Sequence, residues 1–277
     1  MKYDNVAKKI PYWVLLVVLT ILFVYPFWWM LVNSLNLSAE IFGPPTFLPK
    51  SWAFSNYQEI FTVQPFARHY VNTLLVAIVG TLGNVFVSAM SGYAFARMRF
   101  PGRNVAFLLL LTALMMPIEV TIIPLFFQMR SFGALDTLIP LMLIPIFGSQ
   151  GAFSAFMLRQ FYVTVPNELE EAARIDGLNP FLTFTKIMLP IAIPVLSSVG
   201  ILAFIAIWNT YLEPLVFLNT LEKFTLPLSL TNFNDTYGLP QWNLQLAATT
   251  LSILPIMVVY LIFQQKVSNA MVGSGLK

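Results

Sequence analysis

Cysteine is absent from the 277 residues, and histidine occurs once, at His69. The first absence excludes disulfides, thiolate metal sites and cysteine nucleophiles. The second excludes a multi-histidine metal centre. Charge is also scarce: Asp, Glu, Lys and Arg make up 10% of the chain, against about 25% in soluble domains. So few charges leave too little polar surface to keep so long a chain dissolved in water. No G-x-x-x-x-G-K-[ST] phosphate loop occurs, which excludes a P-loop nucleotide hydrolase. No His/Asp/Ser set or metal cluster supports an intramembrane enzyme. The formal charge of +3 is spread between apolar runs, whereas nucleic-acid binding needs Lys and Arg clustered on one face. No Gly/Ser linker divides the chain.

Apolar residues are what the sequence has in excess. They account for 58% of it, with a mean hydropathy of +0.76. A spanning helix needs roughly 20 mostly apolar residues. Six segments qualify: Tyr12–Leu35, Val71–Ala96, Asn104–Phe126, Leu138–Phe161, Ile191–Leu212 and Leu244–Gln264. The expected fold is therefore an all-α membrane protein with six transmembrane helices. The basic stretch Met1–Lys9 before an apolar run is signal-peptide-like, but the run is too long and is read as a retained first helix. Lys50, Arg68, Arg130 and Lys223 fall on one side of the membrane and the remaining Lys and Arg on the other. By the positive-inside rule both termini are cytoplasmic. We divide the chain into residues 1–70, holding the first helix and an external loop, and a five-helix core, 71–277.

The least membrane-like stretch is the cytoplasmic loop 162–190. Pro166 ends the preceding helix. Asn167 can cap a new one and Glu170 can complete a capping-box-like arrangement. Glu168, Glu170 and Glu171 suit the positive end of the helix dipole. Gly177 suits a left-handed C-terminal position, and Asn179-Pro180 reads as the cap and first residue of a second short helix. A helix over about 168–176 is too short to be stable alone. Leu169, Ala172, Ala173 and Asp176 share a face narrow enough to enter a groove. Two readings stand side by side: a knob presented to a cytoplasmic partner, or an interfacial turn joining two spans.

Glu171-Ala172-Ala173, then Gly177, then Ile187-Met188-Leu189-Pro190, resembles the EAA loop of bacterial ABC-importer permeases. Leu158-Arg159-Gln160-Phe161, Ala172–Gly177, Trp208-Asn209 and the tail Gly273–Lys277 resemble the carbohydrate-uptake branch, closest to the second permease of maltose-type and glycerol-phosphate-type systems. The resemblance runs from about Val71 to the C-terminus. It implies a type I importer permease in the bacterial inner or plasma membrane. The implied partners are a second permease (a heterodimer), two ATP-binding subunits and an extracytoplasmic solute-binding protein; no cofactor is held by the chain itself. It also implies that Glu171, Ala172, Ala173, Arg174, Asp176 and Gly177 couple the ATPase to the membrane helices, that the external loop Glu213–Asn243 meets the binding protein, and that the tail lies against the ATPases. One departure stands out. Family members carry an acid two positions after the fifth-helix Trp and an aromatic just before the Pro; here those positions are Thr210 and Glu213.

Candidate residues for a substrate path are Asn84, Glu119, Trp208 and Asn209. Glu119 is an acid inside the third span, where it faces either a cavity or a partner. Trp208 with Asn209 can stack on a sugar and bond its hydroxyls, or sit in an interfacial belt. Gly80, Gly83 and Asn84 share one face of the second helix and serve helix packing or the path. Glu213, at an external helix end, is expected to be solvated, and His69 to be interfacial. A glycerol-phosphate-like solute remains open beside a sugar, as does a stand-alone secondary transporter, for which no internal repeat is found.

Overall fold

The computed structural model describes residues 10–235 and 237–275, with side chains over 11–263. Of the basic stretch and the C-terminal tail, Met1–Lys9 and Leu276–Lys277 lie outside the described residues. Among those described, the regular structure is helical apart from an isolated bridge between Asn234 and Pro240. Its main helices are α1 (Ile10–Ser34), α2 (Asn56–Val63), α3 (Phe66–Arg97), α4 (Arg103–Met115), α5 (Ile118–Ser131), α6 (Ile139–Phe147), α7 (Ser149–Thr164), α8 (Glu168–Ile175), α9 (Pro180–Thr183), α10 (Leu189–Ile191), α11 (Ile193–Trp208), α12 (Leu212–Phe217), α13 (Leu226–Leu230) and α14 (Trp242–Gly275).

Among the described residues four helices are long and apolar enough to cross a membrane, and up to six spans result when each of two bent pairs counts as one. The bends fall in the third and fifth spans, both of which carry prolines. Between α4 and α5 the axis turns by 106°. The cause is Pro117, which has no N–H and forces the residue before it out of the helical region. Met116 is accordingly extended, at φ −88°, ψ 113°. Between α10 and α11 the turn is 77°, where Pro190 and Pro194 flank Ala192. The fourth span is interrupted more gently, at Gly148, between α6 and α7.

The chain forms two compact units. The first takes in residues 1–66 and 230–254. Its α1 presents apolar side chains on every side, as lipid or a partner subunit requires. The external loop after α1 is closed by amides: Asn56 Nδ2 donates to the carbonyls of Ser34 and Asn36 (2.8 and 3.0 Å), and Asn243 Nδ2 donates to Asn56 Oδ1 (2.9 Å). The second unit comprises residues 67–229 and 255–277 and contains every residue discussed below. In it α7 packs on α4, α6 and α11. The close approach of α3 to α6 depends on Gly83, where a Cβ would lie 2.3 Å from Ile146 Cδ1.

Candidate functional site

The cytoplasmic loop is built on a buried aromatic cluster. Tyr93 of α3 meets Tyr162 of α7 edge-on at 5.7 Å and Phe184 at 5.1 Å, and Leu158, Met188 and Val199 complete the group. At about 1.5 Å per residue α3 is about 48 Å long, longer than a hydrocarbon core of about 30 Å. Its last residue, Arg97, therefore reaches past the apolar layer. There the guanidinium binds the loop's backbone. Nε and Nη2 donate to Tyr162 O at 2.9 and 2.6 Å. Nη2 also donates to Val165 O and Nη1 to Asn167 Oδ1. Glu170 Oε1 lies 4.0 Å from Nε.

This arrangement replaces the expected capping box. Asn167 makes no cap bond to its own helix, because its side-chain oxygen is taken by a full positive charge, a stronger donor than a backbone amide. Glu170 likewise turns to Arg97. The other end of α8 follows expectation. Gly177 adopts φ +79°, and Leu178 N donates to Ala173 O (2.9 Å) and Gly177 N to Arg174 O (3.0 Å), a Schellman closure. Asn179 Oδ1 accepts from Leu182 N at 2.9 Å, and Pro180 opens α9.

The exposed face of α8 differs from the expected one. Ala173 points into the chain and is 1% exposed, so the face Leu169–Ala172–Ala173–Asp176 is split. Leu169, Ala172 and Asp176 remain on the surface with Glu171, Arg174 and Gly177. Ile175, which the sequence reading passed over, is 86% exposed, and Phe181 of α9 is exposed as well. Ile175 could have been found by taking Ala172 as the centre of the outward face, since Leu169 and Ile175 lie three residues to either side of it.

A second feature lies where the helices break. A cavity of about 360 Å³ is lined by Met116, Ile118 and Thr121 at the α4–α5 bend, by Gly148, Ser149 and Gln150 at the α6–α7 break, and by Ile207, Thr210 and Glu213 where α11 gives way to α12. Glu213 is not solvated as expected but half-buried in this wall. Burial pushes its carboxyl above the ordinary range, and the negative charge of Glu119 adds to the effect.

The four residues proposed for the path are placed around this cavity rather than in its lining. Trp208, 2% exposed, stacks on Phe204 at 5.6 Å and meets Tyr70 edge-on at 5.9 Å. Asn209 Nδ2 donates to Ile205 O in its own helix (2.8 Å). Asn84 is buried and donates through Nδ2 to Pro145 O at 2.6 Å, tying α3 to the end of α6. Glu119 is on the surface in the first turn of α5. Sequence reasoning missed Gln150 and Glu213. Helical spacing gives no signal for Glu213, because the chain leaves α11 at Trp208 and re-enters a helix only at Leu212.

External to these helices, residues 217–226 are strapped down. His69 is buried within the chain and donates through Nε2 to Leu221 O (2.7 Å). Asn72 Nδ2 donates to the carbonyls of Glu222 and Phe224 (2.9 and 3.0 Å). Thr73 Oγ1 accepts from Leu226 N (2.7 Å). Asp136 accepts from Lys223 Nζ (2.8 Å), Thr220 Oγ1 (2.6 Å) and the amides of Asn219 and Thr220 (both 3.0 Å).

Residues 84–273 match the model of the binding-protein-dependent transport system inner membrane component family. The chain belongs to this family. It is 30% identical to the inner membrane ABC transporter permease protein YcjP of Escherichia coli (strain K12), over 98% of this chain and 97% of that one. It is also 30% identical to the arabinooligosaccharides transport system permease protein AraQ of Bacillus subtilis (strain 168), covering 94% and 92%. Identity to the sn-glycerol-3-phosphate transport system permease protein UgpE of Yersinia pestis bv. Antiqua (strain Antiqua) is 32%, covering 94% and 95%. A crystal structure of a bacterial ABC transporter involved in the import of the acidic polysaccharide alginate superposes with a TM-score of 0.81, over 96% of this chain and 98% of that one, at 24% identity; it supports the fold. The chain is thus a multi-pass inner-membrane permease of an ABC importer, working with a binding protein and an ATPase. The match takes in both the cytoplasmic loop and the cavity.

Proposed function

We propose that this permease passes a sugar or oligosaccharide, pairs with a second, unlike permease, and is driven by two ATP-binding subunits through α8. The observation that carries the coupling role is the exposed apolar surface of Leu169, Ala172 and Ile175 on an eight-residue helix. A helix that short needs a docking surface, and its inner side is already fixed by Arg97. Glu171, Ala172, Arg174 and Asp176 form the contact, while Ala173 and Gly177 hold the helix in shape. ATP closure draws the coupling helices of the two permeases together, and rigid-body rocking opens the cavity to the binding protein. ATP is bound and hydrolysed by the partner subunits, and this chain holds no cofactor of its own. The relative named for arabinooligosaccharides supports a carbohydrate cargo. The relative named for glycerol 3-phosphate supports a second reading, a small phosphate ester.

Because the chain has no cysteine, a single Ile175→Cys variant gives a clean crosslinking probe. In membranes holding the complete transporter it is expected to crosslink to an ATPase subunit, with a yield that changes when ATP is added. Crosslinking only to lipid-exposed or external reagents, or uptake that continues without an ATPase, would sink the reading.

A further inference from the structure

Charge decides what the cavity of the second unit can accept. Its lining carries the carboxylate of Glu213, the amide of Gln150 and the hydroxyls of Thr121, Ser149 and Thr210, and includes no Lys, Arg or His. Glu119 is close enough for its charge to act on Glu213. The positive counterweight is small. The N-terminus of α7 opens at the cavity wall, but a helix end amounts to roughly half an elementary charge, against the carboxylate of Glu213 in the lining. The N-terminus of α5 is already matched by Glu119 in its own first turn. Thr121 and Thr210 donate their hydroxyl protons to the carbonyls of Ile118 (3.2 Å) and Ala206 (3.0 Å), which leaves oxygen lone pairs for the cavity. Among the described residues the side chains of Ser149 and Gln150 bond to no other residue. Ser149 and Gln150 offer donors and acceptors alike, so the bias of the wall comes from Thr121, Thr210 and the carboxylate of Glu213, and it is negative in sign.

Such a wall favours ligands that bring hydrogen-bond donors: hydroxyls, amide N–H groups or an ammonium. Phosphates and carboxylates bring acceptors and more negative charge, and like charges brought together in a desolvated site are penalised. The volume lies at the lower end of the ~300–1,000 Å³ of small-molecule clefts, enough for a short carbohydrate segment. Resting on the reading that this permease passes a carbohydrate, we propose that the cavity is a solute station for neutral or amino-bearing sugars, with Glu213 as the specificity residue that engages their donors and turns away uronates and phosphate esters. This sets the chain apart from the relative named for glycerol 3-phosphate and from the structural neighbour named for an acidic polysaccharide.

The test uses cells expressing the whole transporter with its own binding protein. They are offered radiolabelled maltotriose, diacetylchitobiose, chitobiose, digalacturonate and sn-glycerol 3-phosphate in turn. ATP-dependent accumulation is expected among the first three and not the last two. Glu213→Gln should cut it about tenfold or more, the scale of a lost hydrogen bond to a charged group, while binding-protein-stimulated ATP hydrolysis persists. Glu213→Asp should recover most of the uptake. ATP-driven accumulation of an anionic probe, of none of the neutral and amino sugars, or at an unchanged rate and affinity in Glu213→Gln overturns the assignment. Accumulation that survives inactivation of the ATPase refutes the importer reading itself, whichever solute enters.

Discussion

The cytoplasmic loop and the external strap of the second unit are fastened by the same device and finished in opposite ways. In each, a charged side chain from a distant part of the chain gathers several polar groups of a loop: Arg97 binds the carbonyls of Tyr162 and Val165, and Asp136 binds the amides of Asn219 and Thr220. The external segment turns most of its apolar residues inward, with Phe217, Leu218 and Leu226 buried and Leu221 left partly exposed. The cytoplasmic loop leaves Leu169, Ile175 and Phe181 outside. A segment that covers most of its own apolar groups is nearly complete. One that is rigidly held yet leaves them exposed is shaped for something that covers them.

The comparison is broken most severely by removing the inner anchor. Arg97→Ala leaves carbonyls and Glu170 without their charged partner in a nearly closed setting, where the side chains are 7% and 14% exposed. A loss of about 3 kcal/mol in loop stability follows from losing charged hydrogen bonds and a buried partner. Uptake should fall by more than tenfold with normal membrane insertion, and trypsin should cleave at Arg174 faster. Wild-type cleavage kinetics would show that Arg97 does not anchor the loop. Ala173→Glu belongs beside it: since Ala173 faces inward, this variant should disorder the loop as well as uncouple it.

Ile175→Asp sharpens the contrast by changing the outward face alone. The side chain is almost fully exposed in the isolated chain, so the thermal stability of the purified permease should not move. Association with the ATPase should weaken about tenfold or more, the scale of an apolar anchor lost from an interface centre. An equal loss of permease stability would mean that Ile175 serves the fold.

Gly177 gives a graded test. Its φ of +79° strains a residue with a Cβ by roughly 1–2 kcal/mol, and Gly177 N donates to Arg174 O. Gly177→Ala should slow coupled uptake mildly. Gly177→Pro, with φ fixed near −65° and no N–H, should abolish it. Equal activity in the two variants would contradict the Schellman closure as the cause.

The parts of this design that were legible in the sequence are local. Gly177, Asn179 and Pro180 act on their own neighbours, so their roles could be read from spacing. Six apolar runs gave six spans for the same reason. What was not legible depends on partners far along the chain. Nothing near Asn167 announces that Arg97, seventy residues away, will take its side chain and leave the helix uncapped. Periodicity placed Ala173 on the outward face, but burial beneath α8 decided otherwise. The bend at Pro117 was marked by a proline, yet prolines also occur inside α1 and α14, and only tertiary packing distinguishes a kink from a break. Glu213 looked solvated because the cavity that encloses it is assembled from three separate helix interruptions.

The smallest effect belongs to the external clamp. Lys223 and the Thr220 hydroxyl, with the amides of Asn219 and Thr220, hold the Asp136 carboxyl well below the usual carboxylate range. A lowered carboxyl stabilises the folded state above its unfolded value of about 3.9, and that contribution is lost as pH falls through the lower folded value. The clamp should therefore be indifferent to pH between about 5 and 8 and weaken only below about pH 4. Because the pair is solvent-exposed, Asp136→Asn should lower Tm slightly, and the gap from the wild type should hold across neutral pH and narrow in acid. If the gap instead changes between pH 6 and 8, a group of higher pKa governs the strap. His69, bonded to the same segment through Leu221, is then the residue to replace next.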